Sequence, residues 1–210
     1  MKRNKSLILF ALLTLLFGCQ QTTSQHKETL KNREYGFYMQ EPKDWIVGDN
    51  KDIAKNINKF DFDDEKFKRM MQTEKGNILL KSYYKYNPKT TAGIIPTIII
   101  NLRKNDTKNF EQFKNSISKS AVSFKQYFSD FEFTEEPQEV EISGIRSVFF
   151  SGKFSLKKKD GEVLQAKNRT YAIPVEDYFY QVNFSDGQNG EDSTALFDEL
   201  LKSIKITKSK

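Results

Sequence analysis

Two residue types are nearly missing from this sequence: its 210 residues hold one cysteine and one histidine. A single cysteine excludes an intramolecular disulfide framework, and a single histidine excludes a Cys/His metal cluster. Cysteine–histidine and serine–histidine catalytic arrangements fail as well, because His26 sits in a polar, aromatic-free stretch near the N-terminus. No glycine-rich phosphate loop is found. Oxygen ligands do cluster, at Asp61, Asp63, Asp64 and Glu65 and again at Asp186, Asn189, Glu191 and Asp192. Neither cluster has the alternating ligands, central glycine and terminal glutamate of a calcium loop. Both read as first-turn acids and turn residues, so the expectation is no metal, no cofactor and no catalytic residue.

What is present sets the class. Hydrophobic residues make up 37% and aromatics 13% of the chain, too much for a wholly disordered protein. The length suits one domain with a tail and a core that needs no staple. Residues 1–18 open with Lys2, Arg3 and Lys5, followed by an apolar run from Leu7 to Phe17 broken only by Thr14. A basic start and a short apolar run form the anatomy of a secretory signal. About 20 apolar residues are needed to cross the hydrocarbon core, so this run is too short for a permanent span.

Leu16-Phe17-Gly18-Cys19 resembles the lipobox of bacterial lipoproteins. There a thiol accepts a diacylglyceryl group, and the small residue before it admits the peptidase. Two acyl chains hold a protein stably, since each buried methylene contributes about 0.8 kcal/mol and one chain holds only reversibly. Cys19 is therefore expected to carry lipid, palmitate included, which makes membrane lipid the first partner. Gln20, where an aspartate would retain the protein at the inner membrane, implies the outer membrane if the cell has one, on its periplasmic or surface face. Residues 19–33 read as a flexible tether.

Loss of Lys2, Arg3 and Lys5 with the signal reduces 34 cations to 31 against 28 acids, so the formal charge falls from +6 to +3. That balance excludes the clustered basic stripe of a nucleic-acid binder. Lys157-Lys158-Lys159 precedes Asp160-Gly161 and reads as a solvated hairpin tip.

The folded domain is expected over residues 34–207. Strands are read at 35–40 and 45–47 around a Glu41-Pro42-Lys43-Asp44 turn, at 78–86 by alternation, and at 96–102 as a strand covered on both faces. Residues 49–76 contain Phe60, Phe67, Met70 and Met71 on one helical face. Phe110, Phe113, Ile117, Ala121, Phe124 and Phe128 mark the clearest helix. Strands follow at 131–141 (an edge, because of Pro137), 145–157, 163–173 and 177–184, with a turn at Pro174-Val175-Glu176. Leu196, Phe197, Leu200, Leu201 and Ile204 stripe a last helix. This order is satisfied by an α+β fold, a twisted, mostly antiparallel sheet with helices on both faces.

Gly36-Phe37, Pro42 and Trp45, in a G-F-x-x-x-x-P-x-x-W spacing, resemble the entry hairpin of PsbP-like domains. Gly144, Tyr171, Tyr178-Phe179-Tyr180 and the closing 197–204 segment continue the likeness. The resemblance implies an α/β/α sandwich and is nearly silent on activity, since fold does not carry function. The favoured expectation is a non-catalytic binding or accessory module at the cell envelope, acting on a protein partner. Tyr83, Tyr171 and Phe179 are candidates for its contact face, although helices covering the sheet account for them equally well. The alternatives are a carrier holding an apolar ligand between helix and sheet and, behind it, a carboxylate-dependent hydrolase.

Overall fold

The computed structural model describes residues 29–32, 36–48, 77–91, 93–187 and 192–207. The signal, Cys19, His26, the tether up to residue 28, and the 49–76 stretch lie outside the described residues. Among the described residues, ten strands and two helices follow one another: β1 (Thr29–Asn32), β2 (Phe37–Gln40), β3 (Ile46–Gly48), β4 (Ile78–Tyr84), β5 (Thr97–Lys104), α1 (Phe110–Tyr127), β6 (Glu132–Ile142), β7 (Ile145–Lys157), β8 (Val163–Val175), β9 (Tyr178–Gly187), α2 (Thr194–Lys202) and β10 (Lys205–Ile206). Strands β3-β4-β5-β9-β8-β7-β6 form a seven-stranded sheet, and β1-β2-β10 form a small second one. Every pairing is antiparallel.

Tight turns set the β6–β9 meander. Ser143 and Gly144 both adopt positive φ, the conformation a two-residue hairpin loop requires. The Ser143 hydroxyl also accepts a hydrogen bond from the Ile206 amide at 3.0 Å, which ties β10 to this turn. Gly161, at φ 92°, closes the basic hairpin tip, where Lys158 is paired to Asp160 and Glu162. The turn expected at 174–176 falls instead at Glu176-Asp177, and β8 runs on through Pro174 to Val175. Proline is tolerated there because β7 stops pairing at Val148–Ala172, so no ladder bond is asked of residue 174 on that side.

Alternation along the central strands sorts two cores onto opposite faces. Val148, Phe150, Ala172 and Phe179 pack with Phe113, Ile117 and Ala121 of α1. Phe149, Tyr171, Ile173, Tyr180, Val182 and Phe184 pack with Phe197 and Leu200 of α2 and with Phe37 and Met39 of β2. The start of α1 is built by Asn109, whose side chain accepts from the Gln112 amide at 3.0 Å, while Gln112 accepts from the Lys108 amide at 3.0 Å. Gln112 thus reaches back one residue past the N-cap, a near relative of the capping box in which the N3 side chain holds the N-cap amide.

Two expectations need correction. Simple alternation over 78–86 breaks at a register shift between Leu79 and Lys81, after which Ser82, Tyr83 and Tyr84 are all buried. Tyr84 lies over Gly48, where a Cβ would stand 2.4 Å from its ring, so β3 approaches β4 only because residue 48 has no side chain. The tether assignment of 19–33 also fails at its end, since Thr29–Asn32 pairs with β2. The open edge of β2 offers unpaired main-chain groups, and a short polar segment suffices to satisfy them.

Candidate functional site

The sheet face toward α1 changes character along its length. On β9, Phe179 lies beneath the helix, but Gln181, Asn183 and Ser185 follow at the same two-residue spacing. On β8 the same succession runs from Ala172 to Thr170 and Asn168, and on β5 the residues are Arg103 and Asn101. Strand periodicity therefore places a polar surface across three central strands, beside the area that α1 covers.

Hydrogen bonds organise this surface. Arg103 Nη1 donates to Gln181 Oε1 at 2.8 Å, and Gln181 Nε2 donates to Asn183 Oδ1 at 3.2 Å. Thr170 Oγ1 lies 2.9 Å from the same Asn183 oxygen and 2.8 Å from Asn168 Oδ1. Asn168 Nδ2 continues the row to Ser185 Oγ at 2.9 Å. The Arg103 guanidinium sits 5.8 Å from the centre of the Phe179 ring, an attractive placement of a cation over an aromatic face.

Between α1 and this surface runs a groove of about 580 Å³. Its apolar back is made where helix meets sheet, by Phe113, Ile117, Phe150, Ala172 and Phe179. One wall carries Ser116 and Ser120 of α1, one turn apart, and the other carries Arg103, Gln181 and Thr170. Lys104 and Asp106 stand at the mouth as an ion pair. The hydrogen bond from Lys104 to Asp106 raises the lysine pKa. The groove thus offers hydroxyls, amides and a held guanidinium, with one carboxylate that is already partnered.

Elsewhere, burial is the leading cause of the shifts at Tyr171, Tyr180 and Asp186. Tyr180 is raised far above the ordinary phenol range by desolvation, with Tyr178 adding to the effect. Asp186 is raised by its own burial, against the opposing hydrogen bonds from the Ser193 and Gly187 amides at 2.7 and 3.1 Å. Of the expected second acidic cluster, Asp186 and Asp192 are described, and both hold main-chain amides at the start of α2. Among the described residues no group of three or more metal-ligating side chains converges.

The contact residues expected from sequence do not form a surface. Tyr83 is 1% exposed and donates its hydroxyl to Glu41 at 2.8 Å. Tyr171 is 5% exposed, stacked on Phe149 at 4.6 Å, with its pKa raised by burial. Phe179 is 8% exposed and faces the other way, its ring 5.4 Å from Phe113. Burial in the two cores is the physical reason, and only Phe179 of the three reaches the groove. Cys19 lies outside the described residues.

Sequence reasoning passed over Arg103, Gln181, Thr170, Ser116 and Ser120. A signal existed on β9, where three polar residues occupy positions whose period calls for core. It became readable only with the register that aligns Asn101 with Gln181 and Thr170 with Asn183.

No family model matches the chain, and no curated protein matches it. Several solved structures are similar to it, among them the following three. A Bacteroides thetaiotaomicron protein aligns at 14% identity and a TM-score of 0.43, covering 82% of this chain and 46% of its own, so this chain spans about half its length. LpqN, involved in cell envelope biogenesis of Mycobacterium tuberculosis, aligns at 14% identity and 0.46, covering 82% of this chain and 83% of LpqN. Cyanobacterial PsbP (CyanoP) from Synechocystis aligns at 11% identity and 0.47, covering 91% and 99%. Likenesses of this size assign no role to any residue here.

Proposed function

We propose that this protein is a lipoprotein of the cell envelope, tethered through acylated Cys19, whose PsbP-like α/β/α sandwich serves as a non-catalytic binding or accessory module for a protein partner. The observation that carries this reading is Gly18-Cys19 at the end of a basic, then apolar, N-terminal run. Support comes from the domain: its groove presents hydrogen-bonding side chains beside a cation, a lining suited to recognition. A carrier of apolar molecules fits the groove's volume but not its polar walls. Among the described residues that line the groove one is a carboxylate, Asp106, and it is tied to Lys104, whereas acid–base hydrolysis calls for a pair.

Metabolic labelling with palmitate, followed by membrane fractionation, tests the anchor. The unsubstituted protein is expected to take up label and sediment with membranes. Cys19→Ser is expected to lose both the label and the sedimentation. Equal labelling of the two would refute the anchor. The partner is tested by cross-linking the anchored protein in intact cells, where a discrete adduct is expected and recovery of the uncross-linked protein alone would refute it.

A further inference from the structure

Among the described residues, β3 and β6 are the two edges of the seven-stranded sheet, and they are finished in opposite ways. β6 carries glutamates along its length, the usual protection of an edge that faces water. β3 carries no charge. Its Ile46 is 42% exposed and its Val47 53% exposed. Neighbours along a strand point to opposite faces, so apolar surface is open on both. Tyr86, 39% exposed, follows two residues after Tyr84, the partner of Ile46. Single exposed aliphatics need no explanation, but two side by side on an uncharged sheet edge mark a surface that is covered in use.

The place of this edge says what covers it. Gln40 pairs with Thr29, and its amide donates at 2.9 Å to Ser203, at the C-terminal end of α2. The Trp45 ring lies 6.2 Å from that of Phe197 on the same helix. Phe197 and Ser203 are six residues apart in the sequence, about 9 Å along a helix axis. The start of β3 is thereby held near Thr29. Nine residues, Gln20–Glu28, separate Thr29 from Cys19, a reach of at most about 32 Å. That is shorter than the roughly 40 Å width that follows from the radius of gyration of a domain of this length. The flank that carries Thr29 and β3 therefore stands against whatever holds Cys19.

We infer that β3 and the adjoining Trp45 form a membrane-contact surface, with Ile46 and Val47 seated among the upper acyl chains of the bilayer that holds Cys19. Aliphatic side chains gain there by leaving water, and a tryptophan suits the interface, apolar in body and polar at its indole N–H. Lys43 and Asp44, both exposed, flank the surface with opposite charges, so the contact is apolar rather than electrostatic. The inference rests on the lipid anchor proposed above and adds a second point of attachment, which fixes how the domain stands on the membrane.

Trp45 is the one tryptophan of the chain, so its fluorescence reports this contact without labelling. The acylated protein is reconstituted into phosphatidylcholine vesicles brominated high on the acyl chains, where bromine quenches tryptophan only at contact range. Vesicles of unbrominated lipid are the reference. Co-flotation with both kinds of vesicle is expected, with a loss of Trp45 fluorescence in the brominated ones. Ile46→Glu with Val47→Glu, at edge positions that accept charge, is expected to float equally and to regain the fluorescence. Failure to float would overturn the anchor and this inference with it. Flotation with equal fluorescence in the two lipids would overturn this inference alone, and so would a folded variant quenched as fully as the unsubstituted protein. The comparison of the two lipids stands on the unsubstituted protein, whether or not the variant folds.

Discussion

Asp186 is the side chain whose environment and charge conflict most. It is 7% exposed, and its two oxygens hold the amides of Gly187 and Ser193 where the chain enters α2. Burial raises its pKa despite those bonds. A carboxyl with a raised native pKa binds its proton more tightly folded than unfolded. Its contribution to stability is greatest below the unfolded value of about 3.9 and declines as pH rises from there through the raised native value. Asp186→Asn removes that titration. Denaturant unfolding across a pH series should therefore show the stability of the unsubstituted protein, relative to Asp186→Asn, falling as pH climbs through that window. A constant difference would show that burial does not perturb this carboxyl. The sequence placed Asp186 in a loop with possible ligands; only the fold shows that its oxygens already serve main-chain donors.

At the level of elements, α1 organises one face of the sheet, and its first turn depends on a side chain. Asn109→Ala removes the cap on the Gln112 amide and is expected to cost about 1 kcal/mol, read as a lower denaturation midpoint with an unchanged slope. An effect near zero would place the start of the helix elsewhere. This helix was legible in advance because Phe113, Ile117 and Ala121 repeat at three- and four-residue spacing, and the same residues form its buried stripe. The edge character of β6 was legible too, from Pro137, and its ladder shifts register between Phe133 and Glu135 and between Glu135 and Gln138. Five glutamates along that strand oppose pairing with another chain. The end of β8 was not legible. Pro174 marks a turn by local chemistry, but tertiary pairing leaves its nitrogen without a required partner, and the strand continues.

Over the whole molecule, one sheet separates two cores, and that separation decides what a surface can offer. Tyr83 and Tyr171 belong to one core and Phe179 to the other, so three aromatics that suggested one sticky face are divided by the sheet. Alternation along each strand announced apolar residues on both faces. It did not reveal that α1 would stop short of β5 and leave Arg103, Gln181 and Thr170 bordering a groove. Element types follow from spacing within a segment, whereas a site drawn from β5, β8, β9 and α1 follows from long-range register. The account as a whole depends on where the chain begins in its mature form and what its one thiol carries. Intact-mass spectrometry of the protein extracted from its own membranes measures both at once. The predicted mass is that of a chain starting at Cys19 with a diacylglyceryl group on the sulfur; a mass showing residues 1–18 retained, or an unmodified Cys19, would contradict it.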